Sequence, residues 1–188
     1  MRIKEFEVID LRVPTSDSLL GSDPFHRKPN YSVVLTKLFG SNGIEGISVN
    51  FTIGAGTDWV AYSVRDLMQL IVERSLDEFT KDPGGFHRML LDHHQLRWLG
   101  DGMGRMVIGS VMNALWDLWA KVEGKPLWKL LVDLPPKTII DCIDWRYLKD
   151  ALDPAEALEI LEQSMASKTE REQRMSQKGP KAYSTAGW

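Results

Sequence analysis

A single cysteine stands in 188 residues, so no disulfide can close within the chain. Cys142 sits in an apolar run and is expected to be a buried, reduced thiol. Charge of one sign is also scarce: the net charge is −3, too small to argue for a nucleic-acid or membrane-surface partner. No run is long and apolar enough to span a bilayer. The opening Met1-Arg2-Ile3-Lys4-Glu5 lacks the apolar core of a signal peptide, so an intracellular location, cytosol or mitochondrion, is expected. Histidines are few and badly spaced for a metal. His87, His93 and His94 share one predicted helix, but neither Glu-x-x-His nor His-x-x-x-His occurs. His26 stands alone in a loop.

What is present is an ordinary globular composition, 43% hydrophobic and 26% charged, enough to build a real core. Residues 3–13 alternate as a strand, and residues 31–39 and 44–51 do the same around Asn42-Gly43, a strong hairpin signal. The long polar stretch 14–30 between the first two strands holds Gly21, Pro24 and Pro29. A flexible turn over residues 54–58 follows the third strand, with Thr57 expected as a helix N-cap. Gly54-Ala55-Gly56 is no dinucleotide fingerprint, because the third glycine position is Trp59 and no parallel βαβ unit surrounds it. Val60, Val64, Leu67, Met68 and Ile71 form a helical stripe. Asp82-Pro83 opens another helix, expected to reach about Leu99 and to be broken by Gly100, Gly102 and Gly104.

Val107, Val111, Ala114, Leu115, Leu118 and Val122 then mark a long buried helix. Lys121 and Gly124 close it, and Pro126 suits the start of the next. Trp116 and Trp119 are too wide for one narrow stripe, so this helix should be packed on more than one side. Strands first and helices after give an α+β class. Beyond Pro135-Pro136 the pattern changes. Residues 138–145 read as a short buried strand, with Asp141 and Asp144 on opposite faces, and Asp153-Pro154 opens a helix carrying Leu158 and Leu161. Residues 165–181 are polar, and their basic run reads as a solvated linker.

The stretch Ala114-Leu115-Trp116-Asp117-Leu118, followed by Gly124-Lys125-Pro126-Leu127 and Leu130-Leu131, resembles the end of the N-terminal capping domain of the enolase superfamily, mandelate racemase/muconate lactonizing type. Within it the chain looks most like L-fuconate dehydratase. Further matching segments are Asp10-Leu11-Arg12-Val13-Pro14-Thr15-Ser16, Gly21-Ser22-Asp23, Pro29-Asn30-Tyr31-Ser32 and Phe51-Thr52-Ile53-Gly54-Ala55-Gly56-Thr57. Gln95-Leu96-Arg97-Trp98, Asp144-Trp145-Arg146-Tyr147 and Ala182-Tyr183-Ser184-Thr185-Ala186-Gly187-Trp188 complete the set in the family's order.

The resemblance implies a capping domain over residues 1–134, a three-stranded antiparallel meander plus a helical bundle, and the incomplete start of a (β/α) barrel over residues 135–188. A whole barrel takes roughly 250 residues. The implied activity is that of a hydro-lyase: Mg²⁺-dependent dehydration of a sugar acid such as L-fuconate. In the family the barrel supplies a Lys-x-Lys base and three carboxylates for Mg²⁺, which stabilises an enediolate. This chain contains no Lys-x-Lys, so no catalytic residue and no metal ligand is assigned, and the chain alone is expected to be inactive.

The resemblance does imply a substrate-reading role for two loops, residues 21–31 and 51–58. Gly21, Ser22, Asp23 and Tyr31 are the candidate substrate-binding residues, because hydroxyls and a carboxylate can pair with sugar hydroxyls. The same residue types also suit a solvated turn with local capping bonds. The expected partner is the sugar acid, met jointly with the barrel; a homo-oligomer is left open. The alternative is a non-catalytic domain whose meander and helices bind a partner chain.

Overall fold

Alternation in the first fifty residues produces three strands, β1 (Ile3–Leu11), β2 (Ser32–Gly40) and β3 (Glu45–Thr52), in a computed structural model that describes residues 1–93 and 98–179. His94, the matching residues Gln95, Leu96 and Arg97, Lys181 and the matching residues 182–188 lie outside the described residues. The sheet is an antiparallel meander in the order β1-β2-β3, with Val8 opposite Thr36 and Val34 opposite Asn50. On β2 every second side chain, Ser32, Val34, Thr36 and Leu38, is buried. Between β2 and β3, Gly43 takes φ +82° and donates to the Gly40 carbonyl, while Asn42 Oδ1 accepts the Ile44 amide. The Asn-Gly signal therefore marks the turn correctly.

Helices cover the inner face of this sheet. α1 (Thr57–Met68) buries Val60, Val64, Leu67 and Met68 as the stripe predicts. Thr57 is not the cap: Gly56 holds that position in the left-handed region, and the Thr57 hydroxyl is buried, donating to the Gly54 carbonyl at 2.8 Å. α2 (Leu76–Lys81) opens on a capping box, Ser75 accepting from the Asp77 amide while Glu78 accepts from the Ser75 amide. The Arg74 guanidinium, paired with Glu78, holds that carboxyl below the usual carboxylate range. α3 (Pro83–Leu91) is capped by Asp82 and stops eight residues before the expected Leu99. His87 lies on it and His93 lies past its end, so these two do not share the one helix that was expected.

α4 (Gly100–Val122) is the spine of the fold. Gly100 alone breaks the chain, at φ +68°; Gly102 and Gly104 lie inside the helix. α4 lies against β3, β2, α1 and α3. Trp116 and Trp119 do share a side, their rings stacked 5.3 Å apart, and Phe79 meets both edge-on. Thr36, Ser48 and Ser110 close a buried hydroxyl cluster between sheet and helix, with oxygens 2.9 and 3.0 Å apart. The helix ends in a Schellman motif: Lys125 N–H donates to Ala120 C=O and Gly124 N–H to Lys121 C=O, with Gly124 at φ +64°. α5 (Leu127–Asp133) follows, and both Lys125 and Lys129 pair with Asp133.

Each outer strand is met by a helix side chain. Asp117 of α4 accepts the Ile47 amide of β3 at 2.7 Å, and Arg65 of α1 donates to the Val8 carbonyl of β1 at 2.8 Å.

Met1–Asp133 form one compact unit, and a second begins at Leu134. Its described residues are helical: α6 (Pro136–Asp141), α7 (Pro154–Ser164) and α8 (Lys168–Lys178), with a 3-10 turn at Trp145–Tyr147. The strand expected over residues 138–145 is thus a helix and a turn. Pro136 pre-sets the first helical turn, and Lys137 pairs with Asp141 one turn on. A lone strand would leave its backbone groups unpaired, whereas a helix satisfies its own. Asp144 caps the 3-10 turn and grips Arg146. Cys142 is half-buried rather than buried. α7 is capped by Asp153, as its Asp-Pro start predicts. Within the basic run, residues 168–178 form α8, none of whose residues is buried, so the solvated stretch is helical.

Candidate functional site

The polar stretch between β1 and β2 does not wander; it is laced across its base. The Thr15 hydroxyl donates to the Pro29 carbonyl at 2.7 Å and accepts the Tyr31 amide at 2.9 Å. Asn30 Oδ1 accepts the Ser16 amide, and the Ser32 hydroxyl donates to the Asn30 carbonyl. These bonds bring the ends of a long excursion together, as in an Ω-loop.

All four candidate residues fall in this loop. Gly21 takes φ +69°, and a Cβ placed there would fall 2.2 Å from the Tyr31 ring, so only glycine fits. The Tyr31 hydroxyl donates to the Gly21 carbonyl at 2.7 Å, which brings these two together. Its oxygen keeps lone pairs with which to accept a bond. Ser22 is exposed, and its amide donates to the Leu19 carbonyl. Asp23 is folded back on its own turn: Oδ1 accepts the Phe25 and His26 amides, both at 2.7 Å, and Oδ2 lies 3.1 Å from His26 Nδ1. The His26 amide, then its ring, hold the Asp23 carboxyl below the usual carboxylate range. At neutral pH Asp23 is an acceptor only, with most of its capacity already engaged.

The second loop, residues 51–58, lies against the first. Asn30 N–H donates to the Ile53 carbonyl at 3.1 Å, and the Tyr31 ring packs on Phe51 with centroids 5.4 Å apart. Gly54 at φ +107° and Gly56 at φ +79° shape the turn. Arg12 grips Asp10 with two bonds of 2.6 and 2.7 Å, donates to the Gly54 carbonyl at 2.9 Å, and lies 3.6 Å from Asp58. The Asp10 carboxylate keeps Arg12 charged by raising its pKa further.

Thr15, Asn30, Arg12 and His26 shape the site but are not among the four candidate substrate-binding residues. Asp10 and Arg12, two apart on one strand face, carried a weak signal. For Asn30 the bonds to Ser16 and Ile53 carried none, because those partners are far away in the chain. The arrangement places hydroxyl, carboxylate and imidazole groups on two adjoining loops. Among the described residues, no group of three His, Cys, Asp or Glu side chains is placed to hold a metal ion.

The family model for the N-terminal domain of mandelate racemase / muconate lactonizing enzymes matches residues 23–132. The chain is 44% identical over 189 aligned residues to mitochondrial enolase superfamily member 1 of Bos taurus, covering 98% of this chain and 43% of that protein. It is 36% identical over 190 residues to L-galactonate dehydratase of Hypocrea jecorina, covering 99% of this chain and 42% of that protein. The crystal structure of human mitochondrial enolase superfamily member 1 superposes with a TM-score of 0.86 at 42% identity, covering 93% of this chain and 40% of that one. The chain therefore spans less than half the length of the curated relatives it matches.

Proposed function

The chain belongs to the enolase superfamily, as an N-terminal domain of the mandelate racemase / muconate lactonizing type, and we propose that it is the substrate-reading part of a Mg²⁺-dependent sugar-acid dehydratase. The observation that carries this reading is the 36% identity, over nearly the whole chain, to a protein named L-galactonate dehydratase. Residues 1–134 act as the capping domain, and residues 135–188 lead toward the barrel. Asp23, Ser22 and the rim formed by Gly21 and Tyr31 face the sugar hydroxyls. The preferred acid is of the L-fuconate type, dehydrated to a 2-keto-3-deoxy acid. By the family resemblance the Mg²⁺ site would lie in the barrel of a full-length enzyme, and no chemical step is assigned to this chain; among the described residues no group of three His, Cys, Asp or Glu is placed to hold a metal ion. The relatives named as mitochondrial support an intracellular site, cytosol or mitochondrion.

Two assays test the reading. This chain alone, with L-fuconate and Mg²⁺, yields no 2-keto acid above the blank; clear turnover would place the chemistry within these residues. Joined to a barrel, it dehydrates a sugar acid, and Asp23→Ala lowers kcat/KM for the preferred one by roughly 5- to 150-fold, the loss of about 1–3 kcal/mol of bonding in a closed site. An acid lacking the matching hydroxyl loses much less. Equal loss on every acid would show that the loop shapes the lid rather than reads the sugar. No turnover on any sugar acid would remove the dehydratase reading.

A further inference from the structure

Asn30 and Tyr31 touch both loops at once. Toward the first loop, the Tyr31 hydroxyl bonds the Gly21 carbonyl, its ring occupies the space above Gly21, and Asn30 Oδ1 holds the Ser16 amide. Toward the second, the Asn30 amide bonds the Ile53 carbonyl, its Cβ lies 3.0 Å from where a Cβ on Gly54 would be, and the Tyr31 ring rests on Phe51. We propose that Asn30 and Tyr31 are a shared post that couples the two loops, so that they loosen and tighten as one body, with Tyr31 a positioning residue. That the coupled body faces a sugar acid rests on the function proposed above; the coupling itself does not.

The geometry supports this because each link is of a different kind. A hydrogen bond ties Tyr31 to the first loop, and ring packing ties it to the second. The two can therefore be cut separately. Local opening exposes amides in the order of their stability, so hydrogen exchange reads each loop by itself. The reporters are the Ser22 and Asp23 amides in the first loop, bonded to Leu19 and His26 carbonyls, and the Gly54 and Thr57 amides in the second, bonded to the Thr52 hydroxyl and the Gly54 carbonyl.

Tyr31→Phe removes the hydroxyl and keeps the ring. It should raise exchange by about 5-fold, the size of one lost hydrogen bond, at Ser22 and Asp23 and by a like factor at Gly54 and Thr57, whose loop the lost hydroxyl does not touch. Tyr31→Ser cuts both links and should raise exchange by about 5-fold or more in both loops, while amides of β2 such as Val34 keep their rates. Adding Gly21→Ala to Tyr31→Ser should then cost the first loop less than Gly21→Ala costs in the parent, because the ring it would strike is gone. The proposal is overturned if Tyr31→Ser leaves Gly54 and Thr57 at parent rates, since the loops would then move independently. It is equally overturned if Tyr31→Phe leaves either loop at parent rates, an outcome that stays readable even if Tyr31→Ser fails to fold. None of these readouts depends on turnover, so a failed coupling and a failed dehydratase reading are told apart.

Discussion

Asp23 is the residue whose ionisation the loop depends on. Its folded-state pKa lies below that of the unfolded chain, because the His26 and Phe25 amides bond the charged form. Its contribution is therefore fully present above the unfolded-chain value and is lost as pH falls through the lowered one. A carbon-13 titration of the Asp23 carboxyl should give a midpoint below that of a denatured reference peptide. Asp23→Asn should resemble the parent only at the acid end of the titration. A midpoint at or above the reference would mean that the turn around Phe25 does not persist in solution. At this scale the sequence indicated which residue types sit in the loop, but not how they are spent. The bond from Tyr31 to Gly21 spans ten residues of irregular chain, and no periodicity marks such a pairing.

At the scale of elements, β3 and α4 cross in close contact at Gly46. A Cβ on Gly46 would lie 2.1 Å from the Ala114 carbonyl and 2.7 Å from the Leu118 Cβ, both part of the helix wall. Gly46→Ala should therefore force sheet and helix apart and lower stability by about 1–3 kcal/mol or more in chemical denaturation. A neutral Gly46→Ala would show the helix to sit farther out. Trp116 lies half-buried on the outer side of the same helix, stacked on Trp119 and edge-on to Phe79. Trp116→Ala should cost about 2 kcal/mol, less than the ~3–5 of a fully enclosed ring, and an unchanged denaturation midpoint would remove this cluster from the core. α4 and its glycine stop were readable because apolar spacing and the C-terminal signal agree over six turns. α6 was misread because Thr138, Ile139 and Ile140 are as suited to a strand as to one short helical turn, and only the surroundings decide. α2 went unnoticed although Ser75 and Glu78 spell a capping box, since its six residues are too few to show a period.

Across the whole molecule, burial is uneven. Among the described residues the largest fully buried side chains, from Ile3 to Leu118, precede Leu134, whereas α8 buries nothing and carries Lys168, Arg171, Arg174 and Lys178. Trypsin should cut first within α8, leaving Met1–Asp133 intact longest; early cuts within α4 would contradict this order. The meander and the main helices were readable from alternation and apolar spacing, whereas the helical form of the second unit was not, because its short elements are decided by local capping. The two outer strands of the sheet have a consequence for solubility. The outer edge of β1 is met by Arg65 and by the Glu73 and Arg74 backbone, and that of β3 by Asp117, beside the exposed Val49 and Phe51. Without Asp117 the Ile47 N–H becomes an open template next to an apolar strip, the arrangement from which fibrils grow. Asp117→Ala should scatter light increasingly over hours at micromolar concentration, while the parent stays clear. Resistance to self-templating then draws on these few edge contacts rather than on the protein's small net charge.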